Sequence, residues 1–140
     1  MNIQSFLENK EAELSSSTKH TPFVAGWKSD FPNYGGVYVL WKGDSPIYVG
    51  ETSGIFSRMS DLMRPVNHAF TKKISIETNI KDLKLLRKYI STNYTLSYIT
   101  VDIGRSEIEE YLILRWRNTL INKPTTRLLE GTQYSWVQAM

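Results

Sequence analysis

Residues 35–50 read GGVYVLWKGDSPIYVG, and this stretch decides the fold. Two runs rich in Val, Ile and Tyr flank the turn-forming quartet KGDS. The segment therefore predicts a β-hairpin with strands over 36–41 and 46–50. Each strand carries a tyrosine close to a glycine: Tyr38 follows Gly36, and Tyr48 precedes Gly50. Side chains alternate between faces along a strand, so Tyr38 and Tyr48 share a face only when paired residue numbers sum to an even number. A three-residue loop of Gly43, Asp44 and Ser45 supplies that register, setting Tyr38 opposite Gly50 and Leu40 opposite Tyr48. The tyrosines then stand diagonally, about 7–8 Å apart at the backbone. Gly50 opposite Tyr38 is expected to leave room for a bulky substrate above the sheet. A plain two-residue loop would place the phenols on opposite faces.

Outward from the hairpin, hydrophobic spacing predicts mostly helix. After ETSG, Ile55, Met59, Leu62 and Met63 follow helical spacing, and Pro65 ends the run. Residues 66–79 are a loop or short helix. A helix over 80–90 carries Leu83, Leu86 and Ile90 on one stripe and Lys81, Lys84 and Lys88 on another. TLSYITVDI (95–103) reads as a third strand, with Leu96 and Tyr98 alternating against Ser97, Ile99 and Val101. RSEIEEYLILRWRNTLIN (105–122) is the clearest helical pattern in the chain. At the start, residues 2–14 predict a helix offering Phe6, Leu7 and Leu14 for burial, broken by SSSTKHTP. The tail after residue 124 is apolar enough to pack back, as an edge strand. The expected fold is α+β, a small three-stranded antiparallel sheet flanked by helices. Residues 1–34 form a helix and arm, 35–123 the central unit and 124–140 a packed tail, all within one compact domain.

Bulk composition narrows the function classes. The 140 residues are 41% hydrophobic and 22% charged, ordinary for one globular domain. Net charge is +3, a weak lean towards an anionic partner. Residues 1–34 hold three of the 17 basic and four of the 14 acidic side chains, so the positive excess lies in the main body. With no cysteine, a disulfide framework and a thiolate zinc site are excluded. The N-terminal stretch scatters charges through its sequence, unlike a signal peptide, and no apolar run approaches the ~18 residues of a membrane span. A cytoplasmic protein with no membrane association is expected.

Several polar residues stand out in order along the chain. Arg58 borders the buried stripe of its helix, where an arginine snorkels, pairs with a carboxylate or binds an anion. Glu109 precedes Leu112 and Ile113 by helical spacings, and Glu110 is its neighbour. Asn122 stands before Lys123 and Pro124, a common helix stop. The ordered set GVY (36–38), YVG (48–50), Arg58, ExxLI (109–113) and Asn122 resembles the GIY-YIG endonuclease family over residues 35–123. Valine replaces isoleucine inside each tripeptide, a conservative change in a strand.

That resemblance implies a divalent-metal-dependent endonuclease acting on double-stranded DNA, a restriction-type enzyme being the form expected of a compact stand-alone nuclease. Tyr38, Tyr48, Arg58, Glu109 and Asn122 would form its site. Glu109 would hold one Mg2+ or Mn2+. Arg58 would bind the scissile phosphate, and Asn122 would order its neighbours. Tyr38 would take the proton from water, with Tyr48 positioning water or phosphate and serving as the fallback base. A phenol titrates near 10, so only about one in a thousand is ionised at pH 7, a gap worth roughly 4 kcal/mol. Arg58 and the metal act to close it. Spacing to Asn122 favours Glu110 as the acid, whereas helical phase favours Glu109, and phase decides which side chain faces the sheet. Lys72, Lys73 and Lys84 are candidate contacts to the DNA backbone. The family's histidine four positions after the arginine is Leu62 here, which leaves His68 and His20 as the chain's histidines. Two other classes compete: a non-catalytic nucleic-acid-binding module that keeps the fold, and an unrelated α+β interaction domain.

Overall fold

The computed structural model describes residues 2–140. A three-stranded antiparallel sheet has β1 (Gly36–Lys42) at its centre, β2 (Ser45–Thr52) on one side and β3 (Thr95–Thr100) on the other. Helix α1 (Ile3–Ser16) precedes the sheet. Helices α2 (Ile55–Leu62), α3 (Ala69–Thr78) and α4 (Leu83–Asn93) connect β2 to β3. After β3 come α5 (Arg105–Arg115) and the short α6 (Thr126–Glu130). The α+β class and the antiparallel three-stranded sheet are as the sequence predicts.

The hairpin reaches its register by a different route. Lys42 pairs with Ser45, so the loop is the two-residue Gly43–Asp44, with Gly43 at φ +60°. Glycine in the first central position is what a tight primed turn requires. Left alone, this turn would separate the two tyrosines. A bulge between Leu40 and Trp41 changes the count: Trp41 pairs with Pro46 but Leu40 with Tyr48, so Ile47 is the extra residue. Beyond the bulge Tyr38 pairs with Gly50, and both phenols occupy one face. The expected register holds, but the bulge rather than loop length creates it.

Alternation along the strands divides the core in two. Val37, Val39, Trp41, Val49 and Ile99 pack with α1 and α5 around buried Leu7, Leu14, Ile108, Leu112 and Trp116. Tyr38, Leu40 and Leu96 face the other way, towards Ile55, Met59 and Leu62 of α2, Phe70 and Ile74 of α3, and Leu86 and Ile90 of α4. Helix α3 forms where the sequence left loop or short helix open, and α4 starts at Leu83 because the Asp82 side chain caps Leu85 N–H.

Two expectations fail. The helix from 105 stops at Arg115, where buried Trp116 leaves helical geometry, rather than running to 122. The tail is not an edge strand: it forms α6 and turns, and buries Tyr134 and Val137 against the α1–α5 layer.

Other segments cover both edges of the sheet. His20 pairs with the free edge of β3 through His20 N–H to Leu96 O (2.7 Å) and Leu96 N–H to His20 O (2.8 Å). Along β2, Ile121 N–H donates to Ile47 O at 2.7 Å. Asn122 Nδ2 donates to Val49 O at 2.6 Å, while its Oδ1 accepts Val49 N–H at 3.4 Å. Glu51 N–H donates to Glu109 Oε2 at 2.8 Å.

Candidate active site

Tyr38 is the centre of the arrangement. It sits in the middle strand with 1% of its surface exposed, and its hydroxyl lies 2.7 Å from His68 Nε2. Arg58 Nε donates to the same oxygen at 3.3 Å. Tyr48 stands across the hairpin diagonal, its ring centroid 6.3 Å from that of Tyr38 and 5.2 Å from that of His68, and it keeps partial access to solvent. Two phenols, one imidazole and one guanidinium thus meet over one face of the sheet.

Gly50 has a different use from the one expected. A Cβ built there would come within 2.5 Å of Cζ and the hydroxyl of Tyr38. The space opposite Tyr38 is filled by the Tyr38 ring lying across the β2 backbone. It is not open room for a substrate.

Arg58 is held at several points. Its Nη1 donates to Asp61 Oδ2 at 3.1 Å and to Asn67 O at 3.3 Å, while Nε engages Tyr38. The spacing of Ile55, Met59 and Leu62 buries one side of α2 and carries Arg58 along its border towards the phenols. The side chain is 29% exposed, so the guanidinium is fixed by the protein and still reachable from solvent.

His68 enters from a place the sequence does not flag. It is the N-cap of α3, its Nδ1 accepting Phe70 N–H at 3.1 Å, and it is 2% exposed. Ser, Thr, Asp and Asn are the usual N-caps, so a histidine before AFTKK gives no start signal. Asn67 likewise joins only through the fold, whereas Asp61 stands three residues after Arg58 on the same helix. His20 is elsewhere, stacked on Tyr98 at the β3 edge.

The two glutamates diverge. Glu109 leaves α5, on the far side of the sheet, and reaches the β2 edge, where Oε2 accepts Glu51 N–H. Glu110 turns to the tail and accepts the Tyr134 hydroxyl at 3.1 Å. Asn122 is no helix stop, because α5 has already ended; its amide continues the β2 ladder beside Val49. The three lysines are scattered. Lys72 is exposed on α3, Lys73 pairs with Glu77 at 3.7 Å, and Lys84 shares a groove with Phe23, Arg87 and Lys88 on α4.

Burial dominates the electrostatics. It pushes Tyr38 well above the ordinary phenol value, with the neighbouring Tyr48 adding and Arg58 opposing. Tyr48 is also raised by burial, against the pull of Arg58. Burial, aided by the Arg58 charge, lowers His68 to about 3, so its imidazole is neutral at pH 7. Glu109 is raised by burial, partly offset by the hydrogen bond from Glu51 N–H. The phenol that the sequence reading nominates as base is therefore harder to ionise than a free one, not easier.

Among the described residues no three His, Cys, Asp or Glu side chains cluster; at the β2 edge Glu51 pairs with Arg105 at 3.6 Å, which leaves Glu109 as the carboxylate to consider. Glu109 keeps Oε1 without a protein hydrogen bond while Oε2 is anchored, and the residue is partly exposed. One oriented hard oxygen donor suits a cation that retains most of its water, as Mg2+ does. No protein-family model, curated protein or solved structure compared with this chain matches it.

Proposed function

We propose that this protein is a divalent-metal-dependent DNA endonuclease of the GIY-YIG type, hydrolysing phosphodiester bonds in duplex DNA as a restriction-type enzyme does. One observation carries the reading: Tyr38, Tyr48, Arg58 and His68 converge on one face, and Glu109 reaches the sheet edge nearest them. Phosphodiester hydrolysis needs an anion clamp, a proton acceptor for water and neutralisation of developing charge. Arg58 supplies the clamp, its position set by Asp61 and Asn67 before substrate arrives. A phenol oxygen accepts the proton from water. Glu109 is the residue that would hold Mg2+ or Mn2+, which when bound lowers the cost of negative charge on the phosphate and nearby oxygens. Asn122 keeps β2, and with it Tyr48, in place. Lys84, Arg87 and Lys88, in one groove, would track the backbone of the duplex, with Lys72 and Lys73 on the adjoining helix.

A second reading has an observation of its own. The near-complete burial of Tyr38 suits a nucleic-acid-binding module without catalysis. Incubating the protein with supercoiled plasmid and Mg2+, with and without chelator, separates the two. Chelator-sensitive nicking or linearisation that Arg58→Ala abolishes supports the nuclease. Retardation of DNA on a gel without any cut supports the module. Cutting that survives the chelator overturns the metal role.

A further inference from the structure

We propose that His68 is a positioning residue that fixes the hydrogen arrangement of the phenol pair. Capping of α3 locks its imidazole as the Nε2–H tautomer, that N–H donates to Tyr38, and Tyr48 is left as the phenol that takes the proton from water. The chemical role rests on the nuclease reading; the tautomer does not.

The geometry leaves few choices. A backbone N–H can only donate, so Phe70 N–H, 3.1 Å from Nδ1, requires a lone pair on that nitrogen. A neutral imidazole carries one hydrogen, which then resides on Nε2. Burial and the adjacent Arg58 keep the ring neutral. Nε2–H therefore donates across the 2.7 Å to Tyr38, and Arg58 Nε–H donates to the same oxygen at 3.3 Å. Neither partner can accept in return, so His68 is no base for Tyr38. The hydroxyl hydrogen of Tyr38 must turn away from both, and the Tyr48 ring is the neighbouring phenol, 6.3 Å away between centroids. Burial raises Tyr48, and the nearby Arg58 charge opposes it by favouring the ionised phenol, with Glu109 acting the other way. Solvent also reaches Tyr48, whereas Tyr38 is 1% exposed. Arg58 and Asp61 from α2, His68 from α3 and Glu109 from α5 are the charged or titratable groups around the pair.

The step balances as follows. Tyr48 loses its hydrogen to bulk water before substrate is cut. The attacking water forms an oxygen–phosphorus bond and gives one proton to the Tyr48 oxygen. The bond from phosphorus to the leaving sugar oxygen breaks, and that oxygen takes a proton from solvent.

Long-range 1H–15N NMR of the histidine-labelled full chain reads the tautomer directly. The Nε2–H form is expected at pH 7 in the wild type and equally in Tyr38→Phe, because the cap sets it. An Nδ1–H or doubly protonated His68 in the wild type, or a tautomer switch in Tyr38→Phe, overturns the lock. His68→Asn keeps a good N-cap and removes the donor to Tyr38. Its single-turnover cleavage should fall by about 10²- to 10³-fold, the effect of losing one preorganised donor, with DNA affinity unchanged. An unchanged rate overturns the positioning role. Tyr48→Phe should cost more rate than Tyr38→Phe, and the reverse order overturns the assignment of the base. Should His68→Asn not fold, the tautomer and the order of the two phenylalanine variants still decide. A wild type that cuts no DNA sinks the nuclease reading, whereas the NMR result alone decides the lock.

Discussion

On the face turned to α1 and α5, β1 presents Val37, Val39 and Trp41, and the neighbouring strands add Val49 and Ile99. One residue along each strand, the opposite face receives Tyr38, Leu40, Tyr48 and Leu96 together with Arg58 and His68. Both faces are closely packed, but they handle polar groups differently. On the first, polar groups are few: Trp41 Nε1 donates to buried Ser97 Oγ at 2.7 Å, and the buried Trp116 Nε1 has no protein partner. On the second, two phenols, an imidazole and a guanidinium share a small volume, and burial has moved the phenols up and the imidazole down. Buried polar groups of this kind are costly unless they are bonded. Their concentration on one side of the sheet sets that side apart from the largely apolar packing of the other, and under the proposed function it is the side that carries the chemistry.

Substitutions should separate the two sides, beginning with the largest effect. Trp116→Ala in the scaffold layer should cost about 3–5 kcal/mol in urea unfolding and leave the cleavage rate per folded molecule unchanged. A matching loss of rate in the cold would show that the two faces are not independent. Arg58→Ala should do the opposite, lowering cleavage by about 10²- to 10³-fold with a much smaller shift in the unfolding midpoint. Gly50→Ala tests the boundary between the faces, since its methyl would meet the Tyr38 ring at 2.5 Å. Displacing that ring should cost about 1–3 kcal/mol and most of the activity, seen by denaturation and plasmid cutting together. Full activity in this variant would mean that Tyr38 need not lie over β2.

The smallest expected effect is on acid stability. His68 has its folded value lowered to about 3 from an ordinary 6.5, so the unfolded chain takes up a proton first as pH falls. Stability contributed by the neutral ring is present above 6.5 and is lost between 6.5 and 3, by at most about 1.4 kcal/mol per pH unit. Glu109 opposes this, because its raised carboxyl makes protonation favour the folded state. Urea midpoints at pH 7 and pH 5 should fall less in His68→Asn than in the wild type. An equal fall would place the acid sensitivity elsewhere.

Much of the scaffold is legible in the sequence because it depends on short periodicities. The alternation around Tyr38 and Tyr48, the stripe of Ile55, Met59 and Leu62, and the alternating third strand all follow from pleat and helix pitch. Helical phase likewise separates Glu109, at the β2 edge, from Glu110, beside Tyr134. Features that depend on a single residue or on distant pairing were not legible. The bulge at Ile47 leaves no mark in composition. His68 caps α3 without belonging to the usual capping types, and its contact with Tyr38 spans 30 positions of sequence. The early end of α5 coincides with Trp116, whose indole packs against Trp41, a distant contact that no local pattern marks.

Asn122 has a consequence beyond the site. Its amide occupies the Val49 donor and acceptor that a foreign strand would otherwise use, while Ile121 and Glu109 take the rungs on either side and His20 does the same at β3. A sheet this narrow, left bare, would offer intruding chains a template for stacking into fibrils. Covering these groups from within leaves an added strand fewer open rungs, most completely along β2 and at Leu96 on β3.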